Sequence, residues 1–197
     1  MKRQKRKEET KERILMIASE CFSEKGYDST SVEEICKRSG ISKGGFFHHF
    51  PTKQALFLEI LNNWLSNLDK EMEKIIEESE NVYIALIRLS GIMKKVLKDS
   101  YGHLPLFLEF LSKAEKDKEV WKEIISHFKR YREYFRELIK RGIEEGSIKK
   151  SDPSILSQII VSFSIGVLLQ ELLDPEGYNW EKISKKGIEF ILSEVRK

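Results

Sequence analysis

The fold is decided by residues 31–50, which read SVEEICKRSGISKGGFFHHF. Ser31 is followed three residues later by Glu34, and this capping box predicts the start of a short helix. Gly40 predicts the end of that helix, and Ser42 is placed to cap a second short helix. Two short helices joined by a brief turn that contains glycine have the spacing of a helix-turn-helix.

The segments around this motif also carry helical patterns. Apolar residues recur at helical spacing from Ile14 to Phe22, which predicts a first helix that begins near Glu9. Thr52 is placed to cap a fourth helix that ends near Ile76. Further helices are predicted from about Val82 to Lys98, Leu104 to Leu111, Lys118 to Glu145, Asp152 to Leu173 and Asn179 to Val195. No strand-like alternation occurs, so the sequence predicts an all-α protein of about nine helices.

Positive charge is concentrated at the N-terminal end. Residues 1–54 hold 12 basic and 8 acidic residues, whereas the whole chain holds 35 and 32. This excess indicates contact with a polyanion. The basic stretch from Lys2 to Lys7 leaves two interpretations open, a disordered tail or an arm that contacts DNA phosphates or the minor groove.

The second helix of the motif is the candidate DNA reader, because a helix-turn-helix places that helix in the major groove. It carries Ser42, Lys43, Gly44, Gly45, Phe47, His48 and His49. Each glycine costs about 1 kcal/mol of helix stability relative to alanine. Gly44 and Gly45 would be favoured despite this cost if the helix backbone must approach DNA closely, because glycine has no side chain. The alternative interpretation is that the two glycines make a flexible start to the helix.

The motif and its flanks resemble a known family. The residues that carry the resemblance are Gly26-Tyr27, Thr30-Ser31-Val32, Glu34-Ile35, Gly40-Ile41-Ser42-Lys43-Gly44, His49-Phe50 and Lys53-Gln54-Ala55-Leu56-Phe57. Together with the apolar stripe of the first helix, they resemble the N-terminal domain of the TetR family of bacterial transcriptional repressors. The rest of the chain resembles the family only in size and helical pattern.

The resemblance implies a homodimer that binds a palindromic double-stranded DNA operator and is released by a small molecule. It implies a DNA-binding domain over residues 1–52 and a ligand-binding and dimerisation domain over residues 53–197. The DNA contacts expected from it are Thr30, Ser31, Ser42, Lys43, Gly44, Gly45, Phe47, His48, His49, Thr52 and Lys53. The family usually has tyrosine where this chain has Phe47. Phenylalanine has no hydroxyl group to donate to a phosphate, so the contact expected at this position is apolar.

The helix from Asp152 to Leu173 is apolar nearly all round, so one core cannot cover it. We predict that it pairs, together with the last helix, with a second copy of the chain about a two-fold axis. The predicted interface is Leu156, Ile159, Ile160, Phe163, Gly166, Val167, Trp180, Ile183, Gly187 and Ile191. One alternative is burial within a single chain. A membrane span is disfavoured, because serines and glutamines interrupt the apolar residues.

A pocket for a small hydrophobic or amphipathic effector is predicted along the fourth helix and its neighbours. The candidate lining residues are Trp64, Leu68, Met72, Met93, Leu97, Phe107, Phe110, Phe128, Tyr131, Phe135 and Phe163. No buried charge is evident among them, which disfavours a highly charged effector. Such stripes also form plain hydrophobic core, and the sequence leaves that alternative open.

No catalytic motif, phosphate-binding loop or metal-spaced cluster is present, so we predict a non-enzyme without cofactor or metal. Cys21 and Cys36 lie at inward positions and are interpreted as core thiols. No apolar segment follows the basic N-terminus, which favours a cytoplasmic protein. The alternative function is a helical module that binds a small molecule or protein but not DNA, and a gel shift distinguishes the two.

Overall fold

The computed structural model describes residues 2–92, 108 and 111–195, and the regular secondary structure in those ranges is helical. The helices are α1 (Lys2–Lys25), α2 (Val32–Ser39), α3 (Lys43–His49), α4 (Lys53–Glu77), α5 (Val82–Leu89), α6 (Lys118–Glu144), α7 (Pro153–Leu173) and α8 (Trp180–Ser193). One more helical turn covers residues 111–114. The predicted all-α fold is confirmed.

The helix ends around the motif form as their capping residues predict. The Ser31 side chain accepts a hydrogen bond from the Glu34 amide at 3.1 Å. Gly40 ends α2 in the left-handed conformation with φ at 66°, which favours glycine. The Ser42 side chain accepts from the Gly45 amide at 3.1 Å and begins α3. The predicted order of helix, turn and helix is therefore present.

The first helix is longer than predicted, since α1 begins at Lys2 and not near Glu9. The apolar stripe begins only at Ile14, so hydrophobic periodicity could not find the earlier turns. Those turns consist mostly of Lys, Arg, Gln and Glu, which are strong helix formers. Gln4 Nε2 also donates to Glu8 Oε1 at 3.3 Å across one turn.

The described residues divide into two compact units. The first comprises residues 2–67, 108 and 111–121, and the second comprises residues 68–92 and 122–195. The core of the first unit is built on Phe22, Phe46 and Phe57, all at most 2% exposed. The division into a DNA-binding domain over residues 1–52 and a ligand-binding and dimerisation domain over residues 53–197 stays a prediction.

Cysteines contribute to the core of the first unit. Cys21 and Cys36 are 0% and 7% exposed and carry free thiols. Burial raises the pKa of both thiols above the ordinary value, which keeps them protonated and unreactive at neutral pH.

The second unit has a hydrophobic core of its own. Its buried members are Met72, Ile76, Val82, Ala85, Leu86, Leu89, Ile92, Leu138, Ile139, Ile148, Leu156, Ile160, Ile188 and Leu192. They come chiefly from α4 to α8, so each helix of this unit buries one face there. The Ser184 hydroxyl donates to the Ser90 carbonyl at 3.0 Å and satisfies two buried polar groups inside this core.

Candidate nucleic-acid interface

The outer face of α3 is the part of the helix-turn-helix that is accessible to a partner. Lys43, Gly44, Phe47 and His48 are exposed there, whereas Phe46 is fully buried behind them. The Phe47 ring keeps 43% of its surface exposed. A cation, an apolar ring and a bare stretch of backbone together suit phosphates, thymine methyl groups and base edges in the major groove.

Gly44 has no packing role within the chain. Beyond its chain neighbours and the backbone of its own helix, a Cβ atom built on Gly44 meets no atom within 4 Å, so alanine would fit the protein. At Gly45 the same atom would lie 3.3 Å from the Ser42 side-chain oxygen, a tight contact with the helix cap. The tight contact with the helix cap therefore accounts for Gly45, whereas no contact within the chain requires glycine at position 44.

Lys43 forms an ion pair across the turn between α2 and α3. Its Nζ donates to a Glu33 carboxylate oxygen, and this hydrogen bond raises the pKa of the lysine and lowers that of the glutamate. The two side chains remain 59% and 65% exposed, so water screens the pair strongly. A phosphate oxygen can therefore replace the Glu33 carboxylate.

Lys53 is more firmly held than its predicted role as a phosphate ligand suggests. Its Nζ donates to the Tyr27 and Thr30 carbonyls, both at 2.8 Å, and lies 4.2 Å from the Tyr27 ring centroid. Burial raises the pKa of Tyr27 to about 12. Lys53 thus fixes the loop between α1 and α2, which leads directly into the helix-turn-helix.

The hydroxyl groups flanking the motif hold the backbone. Thr30 is 1% exposed and donates to the Cys21 carbonyl at 3.1 Å and the Gly26 carbonyl at 2.8 Å. This burial gives the Thr30 side chain a structural role in the free protein, and its predicted DNA contact stays a prediction. Ser31 and Thr52 are exposed, but their side-chain oxygens cap α2 and α4.

The two histidines at the end of α3 face a positively charged neighbourhood. Their ring centroids lie 5.5 Å apart, and His49 is the more buried of the two. Burial, followed by the charges of His48, Lys7 and Lys11, lowers the pKa of His49. No group of three or more His, Cys, Asp or Glu side chains in the described part of the chain is placed to hold a metal ion.

The predicted effector-lining residues that the structure describes lie mostly in or against the core of the second unit. Met72 is 4% exposed, while Leu68, Tyr131, Phe135 and Phe163 pack partly buried against the same core. Trp64 and Phe128 are half-buried. Met93, Leu97, Phe107 and Phe110 lie outside the described residues. The pocket itself stays a prediction.

A polar group that sequence analysis missed lies beside these apolar residues. Tyr131 donates to one Asp69 carboxylate oxygen at 3.0 Å, and Arg130 donates to the other at 2.5 Å. Burial is the main cause that raises the pKa of Tyr131. The signal was in the sequence: Asp69 follows Leu65 by four residues and precedes Met72 by three, so it occupies the apolar stripe of α4.

The predicted dimer residues on α7 and α8 divide into two groups. Leu156, Ile160, Val167 and Trp180 are buried within the chain. Phe163, Gly166, Ile183, Gly187 and Ile191 are half-buried, and Ile159 is 46% exposed. Further apolar side chains on these helices are also exposed, namely Ile155, Leu173 and Phe190.

The two glycines of the predicted interface have different surroundings. A Cβ atom on Gly187 would lie 2.0 Å from the Phe163 ring, so this glycine lets α8 approach α7 of the same chain. That intrachain role differs from the predicted one. A Cβ atom on Gly166 would meet no atom within 4 Å beyond its chain neighbours and its own helix backbone. Gly166 lines an open cleft of about 370 Å³ between α7 and α8.

The helix α7 also meets the length and composition of a membrane span. Over the described residues it is the one helix that does so, with a mean hydropathy of 1.7 and 33% of its most apolar window buried. The core helix of a non-membrane protein passes the same test, so this finding does not favour a span.

The comparison with known proteins agrees with the geometry of α2 and α3. Residues 14–60 match the family model for bacterial regulatory proteins of the tetR family. The chain is 25% identical over 160 residues to the HTH-type transcriptional regulator UidR of Escherichia coli strain K12, covering 81% of this chain and 80% of UidR. It is 28% identical over 162 residues to the HTH-type transcriptional regulator QacR of Staphylococcus aureus strain Mu50, covering 80% and 84%.

Solved structures show the same fold over nearly the whole chain. A TetR transcription regulator from Haloarcula marismortui has a TM-score of 0.83 at 15% identity, covering 96% of this chain and 100% of that one. The family match falls on the segment that builds the capped helices and the exposed face of α3. Residues 14–60 therefore carry a helix-turn-helix DNA-binding domain that matches the tetR family of bacterial regulatory proteins, and most of the chain is similar to HTH-type transcriptional regulators.

Proposed function

We propose that the chain is a ligand-responsive repressor that binds a palindromic DNA operator as a cytoplasmic homodimer. The observation that carries DNA binding is the exposed face of α3, with a solvent-screened Lys43, an unobstructed Gly44 and an exposed Phe47. In this arrangement α3 enters the major groove, Gly44 lets the backbone approach the base edges, and Lys43 exchanges Glu33 for a phosphate.

Dimerisation is supported by the apolar surface of α7 and α8. Ile155 and Ile159 are 61% and 46% exposed on α7, and Phe190 is 80% exposed on α8. Side chains of this kind on two neighbouring helices form an apolar surface that a second copy would cover. Two copies would also supply the two reading helices that a palindromic operator requires.

The proposed effector is small and mostly apolar, and it binds within residues 53–197. The half-buried Leu68, Tyr131 and Phe135 supply apolar surface. The Asp69 carboxylate beside Tyr131 adds one polar group, and a ligand with a single hydrogen-bond donor or cationic end would bind it by displacing Arg130 from one of its oxygens. Effector binding would weaken operator binding through a coupling of about 1–3 kcal/mol.

The test of DNA binding starts from a duplex selected out of a random pool by the wild-type protein. We expect Lys43→Ala to bind it more weakly and to lower the salt slope of binding by about 1 for each bound protomer. Lys150→Ala, an exposed lysine of the second unit, is the matched control and should leave both quantities unchanged. Equal binding by wild type and Lys43→Ala at every salt concentration would contradict the proposed use of α3.

The effector is tested separately. Hydrophobic compounds are screened for thermal stabilisation, and operator affinity is then measured with each bound compound. A tightly bound compound that leaves operator affinity unchanged would contradict the coupling, because equal affinity for both states shifts no equilibrium. A module without DNA binding would bind such compounds but enrich no duplex from the pool.

A further inference from the structure

The N-terminal end of α1 carries a dense run of positive charge, residues 2–7, which we name the basic arm. Five of its six residues are Lys or Arg, with Gln4 as the exception. The helix α1 continues without interruption from Lys2 through the buried stripe that begins at Ile14. The side chains of residues 4–7 are exposed. The arm is therefore a helical extension of the DNA-binding unit.

The described cations of the arm, Lys5, Arg6 and Lys7, differ from five other basic side chains of the same unit, because they lack carboxylate partners. Elsewhere in that unit the basic side chains that form ion pairs are Lys11 with Glu59, Lys25 with Glu34, Arg38 with Glu20 and Glu24, Lys43 with Glu33, and Lys113 with Asp28. Among the described side chains, Lys5, Arg6 and Lys7 form no ion pair. Their charges thus remain available to an external anion.

The placement of these charges is unfavourable for the free protein. The N-terminus of a helix is the positive end of its dipole and favours acidic side chains. The first turn of α1 contains no acidic residue, and the cations of the arm also repel one another. A polyanion bound along the arm would relieve both effects, which indicates what kind of partner the arm suits.

The last residue of the arm, Lys7, lies near the C-terminal end of α3. Lys7 lies one helical turn before Lys11, and Lys11 Nζ lies 5.8 Å from the centroid of the Phe50 ring. Both lysines act electrostatically on His49, the last residue of α3. When α3 lies in the major groove, its C-terminal end and the arm next to it therefore face the adjacent phosphate backbone.

We propose that the basic arm binds, as a helix, the phosphate backbone of DNA that flanks the half-site read by α3. This inference rests on the proposed DNA binding. A helix with its side chains is about 10–12 Å wide, whereas the minor groove of B-DNA is about 6 Å wide. The arm therefore stays on the backbone and adds affinity that does not depend on base sequence.

The test compares Lys5→Ala/Arg6→Ala/Lys7→Ala with the control Lys129→Ala/Lys149→Ala/Lys150→Ala, which removes three exposed lysines of the second unit. Binding to a selected operator with long flanks, and to an unrelated duplex, is measured across salt concentrations. We expect the arm variant to lower the salt slope by about 2–3 for each bound protomer on both duplexes, near 0.9 for each lost phosphate contact. The control should keep the wild-type slope.

Two further readouts separate the arm from the rest of the site. Trimming the flanks to the half-sites should remove the difference between wild type and arm variant. Lys5→Glu/Arg6→Glu/Lys7→Glu should increase amide protection of residues 4–8 in the free protein while it weakens DNA binding. An arm variant with the wild-type salt slope would overturn the arm proposal alone, whereas wild-type protein that binds no duplex would overturn the proposed function with it.

Discussion

Gly44→Ala is expected to stabilise the protein and weaken its DNA binding at the same time. The new methyl group meets nothing within 4 Å, so it adds no steric cost in the free protein. Replacing an exposed helical glycine by alanine lowers the entropy of the unfolded chain and gains about 0.5–1 kcal/mol. For a chain of this length, that gain raises the melting temperature by about 1–4 °C.

In the proposed DNA complex, the same methyl group would occupy the space through which the α3 backbone approaches the bases. An added methyl group in a well-packed contact costs about 1–3 kcal/mol. Since about 1.4 kcal/mol is a factor of ten, we expect operator affinity to fall about tenfold or more. The two effects have opposite signs, so a loss of affinity could not be attributed to misfolding.

The assay pairs chemical denaturation with fluorescence anisotropy on a labelled operator. Gly40→Ala is the control, because φ at 66° strains any side chain there and the change should lower stability. A Gly44→Ala protein that gains stability and keeps wild-type operator affinity would refute the role given to this glycine. A loss of stability would contradict the open surroundings described for it.

Three further predictions concern the second unit. Gly187→Ala brings a Cβ atom to 2.0 Å from the Phe163 ring, so we expect the free energy of unfolding to fall by about 1–3 kcal/mol in urea; an equally stable variant would mean that α7 and α8 need not pack closely. Ile159→Glu changes an exposed side chain, and light scattering should give a 23.1 kDa monomer where wild type gives a dimer; a dimeric variant would contradict the proposed interface. Burial lowers the pKa of His127, with Arg130 adding to the shift and Glu123 and Asp69 opposing it. The folded state therefore resists protonation, so the free energy of unfolding should fall as the pH drops below about 6.5, and His127→Phe should flatten that dependence; an unchanged pH profile would argue against the buried imidazole.

The helix-turn-helix was predictable because its signals are local. Ser31, Gly40 and Ser42 act on amides and torsion angles within a few residues, and each forms the predicted cap. The start of α1 was missed because helix propensity, and not an apolar stripe, extends it to Lys2.

The features that sequence analysis missed depend on tertiary packing. Gly187 packs against Phe163, which lies on another helix. The spacing of residues along the chain does not predict this contact. The Asp69 carboxylate meets Tyr131 for the same reason, although its position on the apolar stripe of α4 was a usable warning. Thr30 matched the family motif, but its burial under α1 depends on the fold of the first unit.

Hydroxyl-radical footprinting of the wild-type protein on a selected duplex tests most directly whether α3 reads an operator as part of a dimer. We expect two protected patches on one face of the DNA, centred about 34–36 Å apart or somewhat more, with a palindromic sequence beneath them. Gly44→Ala should need about ten times more protein to give the same protection. Uniform protection without discrete patches, or two patches formed equally well by Gly44→Ala, would contradict the proposed role of α3.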